Sequence, residues 1–228
     1  MLRHIYDQLL KHYRVDETLE HYNEIQGWMG QTLLDADLKM IANRYHEHLQ
    51  TSGIHIRENN LLPYVRKGDK PDCAAPLLPI AIYLDRLRSA FNVGSILRTT
   101  EAFALGSVYF AENTPFIDNR QVQNTSMDAH SWIPCHRDVS LEKLPRPIIV
   151  METSPEAVSI NQFIFPDVFT LVLGNEEYGC SDYSLKQADY LIEVPLCGKK
   201  NSLNVANAFA IAAAEIRRQK PFTFNEGI

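Results

Sequence analysis

From residue 80 onward, short apolar runs of strand length alternate with amphipathic segments of helix length, and this alternation constrains the fold more than any other feature of the sequence. Residues 80–84, 107–111, 146–151, 169–173 and 190–194 each read as a strand. Several of these runs are almost wholly apolar, as expected where both faces of a sheet are covered. Between them lie helical segments at 92–105, closed by Gly106, at 183–188, and at 202–219. Strand–helix alternation of this kind predicts an α/β fold with a parallel sheet and helices on both of its faces. Residues 113–145 read as a loop and a short helix, followed by a strand near 133–136.

The first 53 residues have a different texture. Leu2, Ile5, Leu9, Leu10 and Tyr13 recur at helical spacing. Asp16 is placed to cap a second helix carrying Leu19, Tyr22 and Ile25. Thr32-Leu33-Leu34-Asp35 resembles a capping box ahead of the stripe Leu38, Ile41, Tyr45 and Leu49, and Gly53 stands at the far end. Residues 54–79 carry four prolines and the charged stretch 66–70, and read as an extended connector. The expected organisation is a helical N-terminal extension over 1–53, a connector over 54–79 and an α/β domain over 80–228.

Composition narrows the function classes. Lys and Arg number 22 against 28 Asp and Glu, a net charge of −6. That argues against a protein coating long stretches of nucleic acid, but not against contact with a few phosphates at one site. No apolar run reaches the length of a membrane helix, and the N-terminus lacks the pattern of a signal peptide, so a cytoplasmic protein is expected. Cys73, Cys135, Cys180 and Cys197 form no Cys-x-x-Cys pair, and no histidine beside them completes a zinc site; free thiols and no metal are expected.

Three segments bounded by strands carry the chemistry. In the first, a strand runs through Asp85-Arg86-Leu87-Arg88-Ser89 into a helix with Asn92 as its expected cap, then Gly94 and Arg98. In the second, the buried run 169–173 ends in Gly174-Asn175-Glu176-Glu177-Tyr178-Gly179. In the third, Pro195 and Gly198 lead to Ser202-Leu203-Asn204-Val205, where Ser202 would cap an Ala-rich helix. Asn204 and Asn207 are poor helix formers at the opening of that helix and suggest a polar task there. In a parallel sheet, ligands bind beyond the carboxyl ends of the strands, so segments far apart in sequence can converge. The glycine-rich cradles that hold dinucleotides or triphosphates are absent.

Taken in order, the three segments resemble the SpoU-type (TrmH-like) branch of the SPOUT RNA 2′-O-ribose methyltransferases. The matching residues are Asn92, Gly94 and Arg98; Gly174, Asn175 and Glu176; and Pro195, Gly198, Ser202, Leu203, Asn204 and Val205. The resemblance covers residues 80–220. It implies a C-terminal trefoil knot, S-adenosyl-L-methionine as cofactor, tRNA or rRNA as substrate, a ribose 2′-hydroxyl as acceptor, and a homodimer. It also implies catalytic roles for Arg98, Asn92, Glu176, Ser202 and Asn204. Thr153, Gly174, Val194, Leu196 and Leu203 match positions lining the cofactor. On the same reading Arg98 binds phosphate and orients the hydroxyl, and Glu176 orients Arg98 or Asn204. Ser202 and Asn204 hold the ribose or its phosphate, while Arg86, Arg88, Lys199 and Lys200 form a positive mouth. The face Val205, Phe209, Ala212, Ala213 and Ile216 packs, with the dimer near this helix. The stretch 123–128 lacks the lysine and glycine that many relatives carry there. Two other readings remain at this point: a catalytically inactive domain of the same family that only binds RNA, and a small-molecule α/β enzyme.

Overall fold

The computed structural model describes residues 1–11, 13–53 and 75–222. Two compact units divide the chain, Met1–Lys70 and Pro71–Ile228. Most of the expected connector, residues 54–74, lies outside the described residues.

The first unit holds three helices, α1 (Leu2–Leu10), α2 (Asp16–Trp28) and α3 (Leu38–Thr51). Leu2, Ile5 and Leu9, Leu19 and Tyr22, and Leu38, Ile41 and Tyr45 of the stripes meet in one small core with Tyr6 and Leu34. Tyr13 lies beyond α1 and is exposed, and Ile25 and Leu49 are outside that core. The caps differ from expectation. Asp16 is the first helical residue rather than the cap, and with Glu17 it places negative charge on the first turn of α2. Asp37 caps α3 by accepting from the Met40 N–H. Thr32 forms no capping box because its hydroxyl and carbonyl both accept from the buried Arg44 guanidinium, at 2.6 and 3.1 Å.

The second unit contains β1 (Ile80–Leu84), α4 (Ala90–Ala102), β2 (Gly106–Phe110), α5 (Arg120–Ser126), β3 (Cys135–Arg137), β4 (Ile148–Met151), β5 (Val158–Ser159), β6 (Phe169–Leu173), α6 (Asp182–Gln187), β7 (Tyr190–Glu193) and α7 (Val205–Gln219). All seven strands pair in parallel, in the order β3-β2-β1-β6-β4-β7-β5. β6 therefore lies between β1 and β4, and β7 between β4 and β5. The side-chain period of two sorts each strand onto two cores. Ile80, Ile82 and Leu84 pack with Val93, Ile96 and Leu97 of α4 and with Phe209, Ala212, Ala213 and Ile216 of α7. Ala81, Tyr83, Ile148 and Val150 face the other way, against Leu141, Leu144 and Ala188. Phe209, Ala212, Ala213 and Ile216 of the apolar face of α7 are thus buried against its own sheet, with Val205 partly buried at its start.

Several boundaries shift for local reasons. Ser89, not Asn92, caps α4. Gly106 does not close that helix; it is the first residue of β2, and Arg217 of α7 donates to the Phe103 and Ala104 carbonyls where α4 ends. Asn204, not Ser202, caps α7. Gly94 has a packing reason, because a Cβ there would overlap Thr125 and the Val122 carbonyl of α5. No described helix is long and apolar enough to cross a membrane.

Candidate active site

The loop after β1 is anchored from below. Buried Asp85 donates its N–H to the Leu173 carbonyl and accepts from the Ser181 N–H at 2.7 Å. Arg86 takes a left-handed backbone, with φ 57°, and its carbonyl accepts from Asn175 Nδ2 at 2.6 Å. With Ser89 spent on the cap, Asn92 sits in the first turn of α4, and its side chain is free for a partner outside the helix.

That partner comes from the turn after β6. Gly174 carries no Cβ because one would overlap the Cys180 nitrogen, so the chain folds tightly back on itself. Asn175 and Gly179 exchange backbone hydrogen bonds of 2.8 and 2.9 Å across the turn. Glu152, just past β4, braces it by accepting from the Cys180 N–H at 2.8 Å, while its other oxygen accepts from the N–H of the next residue, Thr153, at 3.1 Å.

Glu176 projects from this turn to the start of α4. One of its oxygens accepts from the Arg88 N–H at 2.9 Å. The other accepts from the Ser89 N–H at 3.1 Å and from Asn92 Nδ2 at 2.9 Å. Partial burial pushes this carboxyl up, but the hydrogen bonds from Arg88, Asn92 and Ser89 outweigh it and hold it below the usual carboxylate range. Asn92 Oδ1 in turn accepts from Asn204 Nδ2 at 3.0 Å. Asn204 Oδ1 is occupied by the N–H groups of Ala206 and Asn207 at the head of α7. Every atom of the two amides therefore has a fixed role: the α7 cap forces Asn204 to donate to Asn92, and Asn92 to donate to Glu176. A hydrogen-bonded chain joins the three segments.

Beside this chain lies a cleft of about 720 Å³ at the carboxyl ends of β4, β6 and β7. Thr153, Gly174, Val194, Leu196 and Leu203 all line it, as do Glu176, Ser202, Asn204 and Lys200. Asn92 reaches it through Glu176 and Asn204. Arg98 is not part of its wall; it is exposed on α4, and its guanidinium donates to the Met127 sulfur at 2.9 Å. Glu176 thus meets Asn204 through Asn92 and makes no hydrogen bond to Arg98. Ser202, relieved of any capping role, is exposed at the cleft. Burial, with Glu152 and Asp85 nearby, drives the Cys180 thiol far up, so it is no nucleophile at neutral pH. Cys135, Cys180 and Cys197 are free.

A model of the SpoU rRNA methylase family matches residues 79–214. The chain belongs to this family. Among its relatives, an uncharacterized tRNA/rRNA methyltransferase of Synechocystis is 29% identical over 63% of this chain and 39% of its own length. A 23S rRNA (guanosine-2′-O-)-methyltransferase of Coxiella burnetii is 24% identical over 81% of this chain and 74% of its own. A similar tRNA/rRNA methyltransferase of Borreliella burgdorferi matches over 63% of its length, so this chain spans less than two thirds of the Synechocystis and Borreliella relatives. The fold is that of an AdoMet-bound rRNA methyltransferase from Sinorhizobium meliloti, with a TM-score of 0.59 at 22% identity over 67% of this chain and 60% of that one.

The three segments singled out in the sequence are therefore also joined physically, through Glu176, Asn92 and Asn204. The sequence does not single out two of the site's working members as site residues: Glu152, and Asp85, which it shows only as part of the loop in the first segment. Glu152 follows an ordinary strand, and only the fold brings it to the Gly179-Cys180 backbone. Asp85 looks like a solvated loop acid, yet it is 3% exposed. Both could have been suspected only as acids directly after buried strands.

Proposed function

We propose that this chain is an S-adenosylmethionine-dependent methyltransferase acting on a ribose 2′-hydroxyl of tRNA or rRNA. The observation that carries the reading is the convergence of Glu176, Asn92 and Asn204 into one hydrogen-bonded chain along the wall of the cleft at the strand ends. Membership of the SpoU family supports it, as do relatives named for 2′-O-methylation of rRNA.

The cleft suits the cofactor. Its volume lies in the range of small-molecule sites. Leu196 and Leu203 stand 36% and 42% exposed on its wall, apolar surface that a bound adenosine would cover. Glu152, Glu176 and Glu193 supply negative charge for a cationic ligand. Thr153, Gly174, Val194, Leu196 and Leu203 would hold the cofactor, which supplies an activated methyl group. The protein's remaining tasks are positioning and removal of the hydroxyl proton. Glu176 is a poor base, since its oxygens already accept three hydrogen bonds and its proton affinity is lowered. Its role is to fix Asn92 and, through it, Asn204. Asn204 and Ser202 then stand at the cleft where a ribose and its phosphate would lie.

Arg98 completes the site from a second copy of the chain on this reading. Its exposed position outside the cleft wall supports an action across a homodimer, where its planar fork would bind the phosphate beside the acceptor. The insertion of β6 and β7 between earlier strands supports a trefoil-knotted C-terminal part. The separate core of α1–α3 supports a division into a helical extension over 1–53, a connector over 54–79 and a catalytic domain over 80–228, in a cytoplasmic enzyme. Calorimetry with S-adenosylmethionine and its demethylated product tests the cofactor; no heat with either, in the presence or absence of RNA, would sink the proposal. Mixing Arg98→Ala and Asn204→Ala chains tests the shared site. Activity that recovers in exchanged dimers supports it, and activity that stays at the level of the separate variants places Arg98 within its own chain.

A further inference from the structure

A second cleft, of about 470 Å³, opens on the other side of the 174–180 turn, and Asn175, Tyr178 and Gly179 form walls of both. Arg86, Arg88 and Asn113 also line it. Tyr178 is 75% exposed at the tip of a turn that is pinned at its base by the Asn175–Gly179 pair. Asn175 Oδ1 also accepts from the Glu177 and Tyr178 N–H groups, at 2.9 and 3.3 Å. A large aromatic ring held out on a rigid polar turn contributes nothing to the core. One face of that ring is met by the Arg88 guanidinium, 5.2 Å from the ring centre, and Glu177 holds the guanidinium there in an ion pair. With the residue 75% exposed, most of the rest of the ring is left to solvent. Two residues before Arg88, the exposed Arg86 has no hydrogen bond or ion pair to its guanidinium among the described residues. Of the acids in this cleft, Asp85 is buried and engaged with the Ser181 N–H, and Asp182 is the first residue of α6.

We infer that this second cleft is a nucleotide subsite for the RNA: the base next to the methylated residue stacks on Tyr178, and its phosphate pairs with Arg86. A ring backed by a cation and otherwise mostly left to solvent is the platform on which any nucleobase can stack. An unpaired guanidinium beside it suits the phosphate that accompanies each base. The shared wall places such a nucleotide next to whatever the first cleft holds. This inference rests on the methyltransferase reading above and specifies how that site grips its substrate.

The test is steady-state methyl transfer to transfer RNA and ribosomal RNA prepared from cells lacking the gene, alongside cofactor binding by calorimetry. Tyr178→Ala is expected to raise KM for the RNA by about tenfold or more, the worth of one base stacked on an aromatic. Tyr178→Phe and Tyr178→Trp, which keep a ring, should stay near the unsubstituted protein. Arg86→Gln should flatten the salt dependence of log KM by about 0.7, the share of one single-strand phosphate. The cofactor dissociation constant should not move in any of them. An unchanged KM in Tyr178→Ala would overturn the inference, and so would a loss of equal size in Tyr178→Phe, which would assign the effect to the hydroxyl. Weakened cofactor binding in Tyr178→Ala would place the ring in the first cleft instead and also overturn it. If the unsubstituted protein binds cofactor but methylates neither RNA, the parent reading falls and takes the subsite with it; this is visible before any variant is made.

Discussion

Two polar networks in this molecule are built from similar parts and do different work. In the helical unit, Arg44 of α3 is 8% exposed and spends its guanidinium on Gln26, on Thr32 twice and on Glu47. In the sheet unit, Glu176, Asn92 and Asn204 link three loops along an open cleft. The first network is centred on the buried Arg44 and Gln26, with Thr32 and Glu47 at the surface, and it borders neither cleft described above, so its bonds serve the fold. The second is as fully determined in its geometry but lies beside a cavity. Determined geometry next to open space is what a binding site requires, and determined geometry without it is structural.

The largest effect that would break this contrast is at Asn204. Asn204→Asp keeps an oxygen for the α7 cap but replaces the donor facing Asn92 with an acceptor. Methyl transfer should fall by about a hundredfold, with a melting temperature close to the parent's. A protein that loses stability instead of activity would show that the open network is structural too. At Arg44 the prediction reverses. Arg44→Ala should cost about 2 kcal/mol in unfolding of the helical unit, because hydrogen bonds to a buried charged group are lost, while methyl transfer below the transition stays at the parent rate. Circular dichroism melts and a transfer assay on the same samples separate the two outcomes.

A smaller effect comes from pH. Glu176 has a lowered pKa in the folded protein, so the stabilisation it brings is complete above the unfolded carboxylate value of about 4.3 and is lost as pH falls through the lowered folded value. Activity should therefore show no acid limb from this group near neutrality, and a decline only in acid below the ordinary carboxylate range. In Glu176→Gln that decline should disappear while activity is reduced at every pH. The smallest effect is expected for stability at Ser202, which caps nothing: Ser202→Ala should change it by less than about 0.5 kcal/mol. A larger loss would restore Ser202 to the capping role that Asn204 holds here.

What was legible in the sequence follows from the range of the forces involved. β1 and β6 were readable to the residue because strands buried on both faces are written as unbroken apolar runs. The two-residue β5 was not, since Val158 and Ser159 have too little local pattern to distinguish them from loop. Two of the caps, at Thr32 and Asn92, failed because of tertiary partners, whereas Asp16 and Ser202 were each displaced by a shift of the helix start. Thr32 and Asn92 are both sound capping residues locally, but Thr32 goes to Arg44 and Asn92 to Glu176 and Asn204. A tertiary partner outbids a local cap, and no window of sequence contains that partner. For the site, the residues of the three segments were legible and their wiring was not. That Glu176 reaches Asn204 through Asn92 depends on strand order, as does the brace from Glu152.

The most direct test of the central claim is the chemical position of the transferred methyl group. RNA from cells lacking the gene, incubated with the purified chain and isotopically labelled S-adenosylmethionine, should yield a labelled 2′-O-methylated nucleoside on digestion. The labelled RNA should resist alkaline cleavage at a single phosphodiester, since a methylated 2′-oxygen cannot attack its neighbouring phosphate. Label on a base with normal cleavage at that position, or no label in RNA from a chain that binds the cofactor, would contradict the account.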